Sequence, residues 1–118
     1  MKFLALIYAA KDASPEFGSE GWGPLMQGYE QASKTYEEDG VFVAGEALED
    51  AETATSVRIR NGETILTDGP FAETKEELGG FYLFDCEDLD AAIKYAKLIP
   101  TAEHGTVEVR PVMVFDQS

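Results

Sequence analysis

The chain has 118 residues, a length that suits one domain with a single hydrophobic core and is too short for two. Its apolar fraction of 44% includes seven Phe, five Tyr and one Trp, which excludes a disordered chain. The net charge is −14, from 23 acidic and 9 basic residues, and no Lys/Arg run could neutralise successive phosphates. We therefore predict one domain over residues 1–118 that binds no nucleic acid.

The sequence also predicts that the protein is soluble and cytoplasmic. The longest uninterrupted apolar run, Phe3 to Ala10, is too short to cross a membrane. The N-terminal residues lack the long apolar region and cleavage site of a secretory signal. Cys86 is the single cysteine and cannot form an intrachain disulfide, which is typical of a reducing compartment.

The first third of the chain predicts a strand, a helix and a second strand. Lys2 to Tyr8 is an apolar run that is too short for a helix and rich in strand formers. After a loop rich in Gly, Ser and Pro, apolar positions recur at spacings of four, three and four, which predicts a helix with a left-handed cap at Gly40. Val41 to Leu48 is the second predicted strand. The buried face of the helix is predicted to comprise Leu25, Tyr29, Ala32 and Tyr36.

A β-hairpin is predicted next. Thr53 to Arg60 and Glu63 to Thr67 are strand-like runs joined by Asn61-Gly62, the dipeptide most typical of a two-residue hairpin turn. Because side chains alternate along a strand, one face of the hairpin carries valine and isoleucine and the other carries two arginines. These residues are Val57 and Ile59 on the first face, and Arg58 and Arg60 on the second.

The last third repeats the strand, helix, strand pattern. Gly80 to Cys86 is a predicted strand, and Asp88 is the predicted N-cap of a helix that Pro100 stops. Thr106 to Phe115 is the last predicted strand. The helix stripe is predicted to comprise Leu89, Ala92, Ile93 and Ala96. The order β-α-β, hairpin, β-α-β predicts an α+β fold, a ferredoxin-like split βαβ sandwich with an inserted hairpin.

Two helices can cover only one face of such a sheet. Four predicted strand segments are nevertheless apolar at consecutive positions. These segments are Phe3 to Tyr8, Val41 to Ala44, Phe81 to Phe84 and Val112 to Phe115. A sheet with one solvated face should alternate apolar and polar residues, so we expect the second face to be covered as well. We predict that a second copy of the chain covers it in a two-fold homodimer.

The segment Asp68 to Glu76, closed by Gly79 and Gly80, combines turn residues, an aromatic ring and alternating charges. Gly69 precedes a proline and is pushed away from helical angles, while Pro70 has a fixed φ. The segment is therefore predicted to be rigid. It serves either as one wall of a ligand cleft or as an element that aligns the two subunits of a dimer.

This segment carries a resemblance to a known family. Over nearly its whole length, the chain resembles the DGPF-type members of the YCII-related family. The matching residues are 68–76, Leu78 to Tyr82, Asp88 to Ala92 and Val107 to Pro111. The resemblance implies a dimeric α+β barrel, in which two sheets lie face to face with a cleft between sheet and partner. The wider family includes a dehydrochlorinase of a chlorinated hydroxyquinol and members next to or fused with sigma factors. The enzymatic relatives pair a first-helix His with an Asp, and residues 21–39 here contain no His, so that dyad cannot be carried over.

Three residues are candidate general acids or bases: Asp68, His104 and Glu108. His104 is the only histidine, and an imidazole titrates near neutral pH. Glu108 shares a face of the last strand with Arg110 and Val112. The structural alternatives are that Asp68 caps a turn, that His104 is a surface residue beside Glu103, and that Glu108 forms interface salt bridges.

Six residues are candidate ligand contacts, and among them Arg110 is predicted to bind a carboxylate or phenolate. Glu46 is predicted to share a strand face with Phe42, Ala44 and Leu48. In the structural alternative, Phe71 plugs the core, and Gly79 and Gly80 permit a bulge. The candidate contacts are Tyr8, Glu46, Phe71, Lys75, Tyr82 and Arg110.

Two functions follow. The first is a cofactor-free enzyme or binder that acts on a small aromatic or oxygenated molecule by acid/base chemistry. The second is a non-catalytic accessory or regulatory protein that binds a protein partner, with a link to sigma-factor transcription control. We expect no metal, because EF-hand spacing and a His/Cys cluster are missing, and no cofactor, because nucleotide loop, haem ligand and nucleophile elbow are missing.

Overall fold

The computed structural model describes residues 1–115. Its elements follow the predicted order, with two additional short 3₁₀ helices at Ala51–Thr53 and Pro100–Glu103. The strands and α-helices are β1 (Lys2–Ala9), α1 (Trp22–Glu38), β2 (Phe42–Ala47), β3 (Thr55–Arg60), β4 (Glu63–Asp68), β5 (Glu77–Asp85), α2 (Leu89–Ala96) and β6 (Thr106–Pro111).

Local sequence signals fix several of these boundaries. Gly40, just after α1, has φ +68°, the left-handed conformation that ends a helix. The Asp88 carboxylate accepts a hydrogen bond from the Ala91 amide at 2.9 Å, which makes it the N-cap of α2. Asn61 and Gly62 both have positive φ, 51° and 79°, as a type I′ hairpin turn requires. The predicted caps and the predicted turn are confirmed.

The four strands of the main sheet lie in the order β2-β5-β1-β6, and every neighbouring pair is antiparallel. β3 and β4 form a separate two-stranded sheet. The α+β class and the split βαβ strand order are therefore as predicted. Within one chain the main sheet is open and is not closed into a barrel.

Both helices pack against one face of the main sheet. Phe3, Ala5 and Ile7 of β1 point into this core, because they alternate with the half-buried positions between them. Tyr36 of α1 is fully buried, with its ring 4.7 Å from that of Phe84. Its hydroxyl donates a 2.8 Å hydrogen bond to the carbonyl of Tyr95, which joins the two helices. Burial of the phenol raises the pKa of Tyr36 above its ordinary value.

The predictions for both helices need correction. α1 begins at Trp22, one turn before Leu25. The buried face of α2 carries Ala92, Tyr95 and Ala96, whereas Leu89 and Ile93 are 48% and 38% exposed. The helix packs with the Tyr95 ring toward the core, 5.9 Å from the ring of Tyr36.

The last strand is shorter than predicted. β6 ends at Pro111, although the Val112 amide still donates to the carbonyl of Lys2. β1 begins at Lys2, so the segment Met113 to Phe115 has no further strand to pair with and is exposed.

The molecule is flat and extended. It measures 51 × 48 × 18 Å, and the thickness corresponds to one helix layer on one sheet layer, each about 10 Å thick. Its radius of gyration is 16.4 Å, against about 13–14 Å for a compact domain of this length. The excess arises because β3 and β4 project away from the main sheet and every residue of the two strands except Ser56 is exposed.

None of the helices in the described part of the chain is long and apolar enough to span a membrane.

Candidate functional site

The candidate site is the face of the main sheet that the helices leave uncovered, which we call the open face. Residues directly paired across an antiparallel sheet share one face, so the register identifies its members. Leu4 pairs with Leu83, and Leu6 pairs with Phe81, on the side opposite Phe3 and Ala5. The centre of the open face is therefore apolar, and these four side chains are half-buried within one chain.

Charged residues flank this apolar centre. One row across the sheet runs Glu46, Phe81, Leu6 and Glu108, so a carboxylate lies at each edge. Three strand spacings separate the two, about 14 Å between backbones, so they do not form a close pair of carboxylates. The next row ends in Arg110, which pairs with Leu4 on β1.

Glu108 and Arg110 therefore lie side by side on the open face, as their spacing in the strand predicts. Two residues of strand rise separate them by about 6.6 Å. No ion pair joins them or involves either of them within residues 1–115. A carboxylate and a guanidinium next to an apolar surface can hold a small polar aromatic molecule, with the guanidinium on its oxygen atoms.

Tyr82 lies on the other face of the sheet. It pairs with Ala5, its ring stacks on Phe84 at 5.8 Å, and it contacts the edge of Tyr36 at 5.2 Å. Gly45 makes this possible, because a Cβ at that position would lie 2.7 Å from the Tyr82 ring. The structure therefore does not bring Tyr82 together with Arg110.

Phe42 also departs from the predicted face. It pairs with Phe84, whereas Ala44 pairs with Leu83 and Glu46 with Phe81. The register shifts between Phe42 and Ala44, and the extra residue turns Phe42 toward the Tyr82 ring at 6.3 Å. Ala44 and Glu46 remain together on the open face.

Tyr8 and His104 lie at one end of the sheet. Tyr8 continues the open-face alternation of β1 and pairs with Thr106, the first residue of β6. His104 precedes that strand, is exposed, and its Nε2 lies 3.2 Å from the Ser14 hydroxyl. The register shift between Ile7 and Tyr8 leaves Gly79 as the extra residue of β5, so the predicted bulge is present.

Asp68, Phe71 and Lys75 lie in the segment that follows the hairpin. Asp68 ends β4 and is exposed, as is Lys75. Phe71 is 78% exposed, so the interpretation that it plugs the core is wrong. The segment is instead attached to the hairpin, because the Ser56 hydroxyl donates a 2.8 Å hydrogen bond to the carbonyl of Gly69.

Two cavities of the described residues lie away from the open face. One, of about 370 Å³, lies between α1 and the 3₁₀ helix Pro100–Glu103 and is lined in part by Gln31, Thr35 and Lys97. The other, of about 250 Å³, lies between the hairpin and Phe71. The sequence predicts that Arg58 and Arg60 share one face of the hairpin, but it does not predict that Phe71 lies against that face. The contact depends on the hydrogen bond from Ser56 to Gly69, which no short-range pattern predicts.

The remaining perturbed groups in residues 1–115 have structural explanations. Burial raises the pKa of the Cys86 thiol, which disfavours the nucleophilic thiolate. Burial also raises the pKa of Tyr29, whose hydroxyl lies 2.5 Å from that of Thr101. These groups lie on the helix side of the sheet and contribute nothing to the open face.

The fold and the open face define a class: small α+β proteins with a split βαβ sheet that exposes one apolar face. The model of the YCII-related domain matches residues 1–116, so the chain belongs to the YCII-related family. It is also similar to an uncharacterized protein of Rhizobium meliloti (strain 1021), at 35% identity over 117 residues that cover 98% of this chain and 94% of the relative.

Proposed function

We propose that this protein is a cytoplasmic homodimer in which two open faces meet as a dimeric α+β barrel, and that it binds or transforms a small aromatic or oxygenated molecule in the cleft. The observation that carries the proposal is the apolar centre of Leu4, Leu6, Phe81 and Leu83, beside Glu108 and Arg110, on a face that no element of residues 1–115 covers.

The dimensions of the open face support an interface that extends beyond the sheet. Four strands about 4.8 Å apart and about 20 Å long present a flat area on the order of 400 Å². A standard interface buries about 800 Å² on each partner. In the proposed dimer, the hairpin face that carries Val57 and Ile59 and the exposed segment Met113 to Phe115 supply the rest.

The proposed chemistry uses the rim of the open face. Arg110 binds a carboxylate or phenolate oxygen of the ligand, because a guanidinium presents several donors in one plane. Glu108, two residues before it on the strand, is the general base that accepts a proton from a hydroxyl of the ligand, and the apolar centre receives the ring. Asp68 and His104 remain alternative general acids or bases. The remaining candidate ligand contacts are Tyr8, Glu46, Phe71 and Lys75.

Sedimentation velocity tests the assembly. Leu6→Glu puts a carboxylate into the centre of the open face and is expected to give a monomer at micromolar concentration. Leu89→Glu makes the same charge change in the first turn of α2, where a negative charge is tolerated, and is expected to stay dimeric. A monomeric wild-type protein would remove the cleft and the proposal with it.

Ligand binding is tested with catechol as the probe, followed by amide chemical shifts along residues 106–110. Arg110→Gln and Glu108→Gln are each expected to weaken binding by about tenfold, because a hydrogen bond to a charged group is lost. Lys97→Gln, on the helix side of the molecule, is the matched control. Absence of shifts in the wild-type dimer would contradict the ligand-binding proposal while leaving the dimer intact.

A second candidate is an accessory or regulatory protein that binds a protein partner, with a link to sigma-factor control. The observation that favours it is the exposed apolar face of the hairpin, where Val57, Ile59 and Leu66 are 62%, 66% and 66% exposed. Surface plasmon resonance against a purified sigma factor of the same source tests it. Ile59→Lys should abolish binding, and Arg58→Lys, on the other face, should not.

A further inference from the structure

The cavity between the hairpin and the segment after it is a second site of distinct chemistry. Ser56, Arg58 and Arg60 alternate along one face of β3, and Ile65 and Thr67 of β4 pair with Arg58 and Ser56. Pro70 and Phe71 form the opposite wall, and the volume of this open cavity is about 250 Å³. The cavity therefore combines two cations, a hydroxyl and an aromatic ring.

Neither arginine forms an ion pair in residues 1–115, although Glu63 pairs with Arg60 across the hairpin and shares its face. Arg60 Nη1 instead donates to its own neighbour, the carbonyl of Ile59, at 3.0 Å. The chain contains only 9 basic residues against 23 acidic ones, yet two of its three arginines share this cavity. Like charges about 6.6 Å apart along a strand repel each other, and an anion between them would relieve that repulsion.

The cavity wall is held in position by the hairpin. The Ser56 hydroxyl donates to the Gly69 carbonyl at 2.8 Å, and the Gly69 amide donates to the Ala54 carbonyl at 2.6 Å. Pro70 follows directly and has a fixed φ, so the position of Phe71 is restricted relative to the arginines. The Phe71 side chain is 78% exposed, which leaves its ring free to contact a ligand.

We infer that this cavity binds a small oxyanion, a carboxylate or phosphate, attached to a single flat apolar ring. The guanidinium groups of Arg58 and Arg60 hold the oxyanion in paired hydrogen bonds, and the ring lies against Phe71 and Ile65. The volume is below the roughly 300–1,000 Å³ of drug-sized ligand sites, which limits the occupant to about one ring. This site is separate from the open face and does not depend on the function proposed above.

The test is a titration of the full-length protein, followed by amide chemical shifts, with phenyl phosphate, benzoate, inorganic phosphate and benzyl alcohol. Phenyl phosphate and benzoate show which oxyanion the site prefers. Inorganic phosphate lacks the ring and benzyl alcohol lacks the charge, so both are expected to bind more weakly. Binding of the two charged aromatic probes is expected to weaken as salt rises, since the site is exposed.

Matched variants separate the cavity from general electrostatics. Arg58→Gln/Arg60→Gln is expected to weaken phenyl phosphate binding by about tenfold or more, because charged hydrogen bonds are lost. Lys94→Gln/Lys97→Gln removes the same charge from α2 and its C-cap and is expected to change phenyl phosphate binding by less than about twofold. Phe71→Ala should weaken phenyl phosphate and leave inorganic phosphate unchanged.

Three results would overturn the inference. One is equal affinity in wild type and the double arginine variant. Another is loss of binding in Arg110→Gln alone, which would assign the anion to the open face. The third is no binding of phenyl phosphate or benzoate by wild type; a shift from dimer to monomer in the double arginine variant would then make the arginines a subunit contact.

Discussion

The hydroxyl of Ser56 donates a hydrogen bond to the carbonyl oxygen of Gly69 at 2.8 Å, across 13 residues of chain. This contact attaches the segment of residues 69–76 to the hairpin and positions Phe71 opposite the arginines of β3. The most distinctive sequence of the protein is therefore organised by the hairpin and not by the core beneath the helices.

Ser56→Ala is expected to loosen that segment without unfolding the protein. The loss of one partly buried hydrogen bond costs about 1 kcal/mol, and it acts locally because the hairpin is outside the core. Hydrogen exchange of the Gly69 amide should accelerate. Thr35→Ala removes a comparable bond, from Thr35 Oγ1 to the Gln31 carbonyl in α1, and should leave Gly69 exchange unchanged. Unaltered Gly69 exchange in Ser56→Ala would show that the bond does not hold the segment.

The buried phenols predict a loss of stability at alkaline pH. The pKa values of Tyr36 and Tyr29 are raised in the folded state by burial, whereas the unfolded chain titrates near about 10. Below about pH 10 both states keep their protons and the contribution is fully present. Above it the unfolded state releases protons first, so the free energy of unfolding falls as pH rises toward the folded pKa.

Urea unfolding between pH 8 and pH 11 measures this slope, and Tyr36→Phe should reduce it. The variant should also lose about 1 kcal/mol at pH 8, because its bond to the Tyr95 carbonyl is gone. The loss is limited, since the Leu98 amide also donates to that carbonyl. A wild-type stability that stays constant up to pH 11 would contradict the prediction.

Asp88→Ala is expected to destabilise the protein by about 1 kcal/mol, because the Ala91 amide loses its cap. For a chain of this length the midpoint of thermal unfolding should fall by roughly 3–5 °C. Asp90→Ala, in the first turn of the same helix, removes the same charge without removing a cap and should have a smaller effect. If Asp88→Ala and Asp90→Ala destabilise the protein equally, the stabilisation comes from charge alone.

Gly105 and Gly23 predict different costs for the same substitution. A Cβ at position 105 would lie 2.1 Å from the carbonyl oxygen of Tyr8, so Gly105→Ala must displace backbone at the start of β6. We expect a cost of at least about 1–3 kcal/mol. Gly23 lies in α1 with nothing outside its chain neighbours within 4 Å of its Cβ position, but it precedes Pro24, whose ring disfavours helical angles for a residue with a Cβ. This offsets the gain in helix propensity, so Gly23→Ala should change the free energy of unfolding by less than about 1 kcal/mol. Calorimetry of both variants measures the two midpoints, and an equal fall in both would refute the prediction.

Most of the fold is determined by short-range patterns. The cap at Gly40, the N-cap at Asp88 and the turn at Asn61-Gly62 are each decided within about four residues, so the sequence predicts them correctly. The alternation of Glu108 and Arg110 is equally local, and the strand register preserves it.

The tertiary structure decided which residues meet. Tyr82 lies on the helix side because the register of β1 with β5 pairs it with Ala5. Phe42 leaves the face of Glu46 because the register of β2 with β5 shifts between Phe42 and Ala44. Phe71 faces the hairpin because of one bond between Ser56 and Gly69. The sequence by itself determined the elements, their order and the apolar character of both sheet faces, since backbone dihedrals and alternation are local properties. The cavities and the membership of each face required the folded chain, because strand register and loop docking join residues that no local pattern relates.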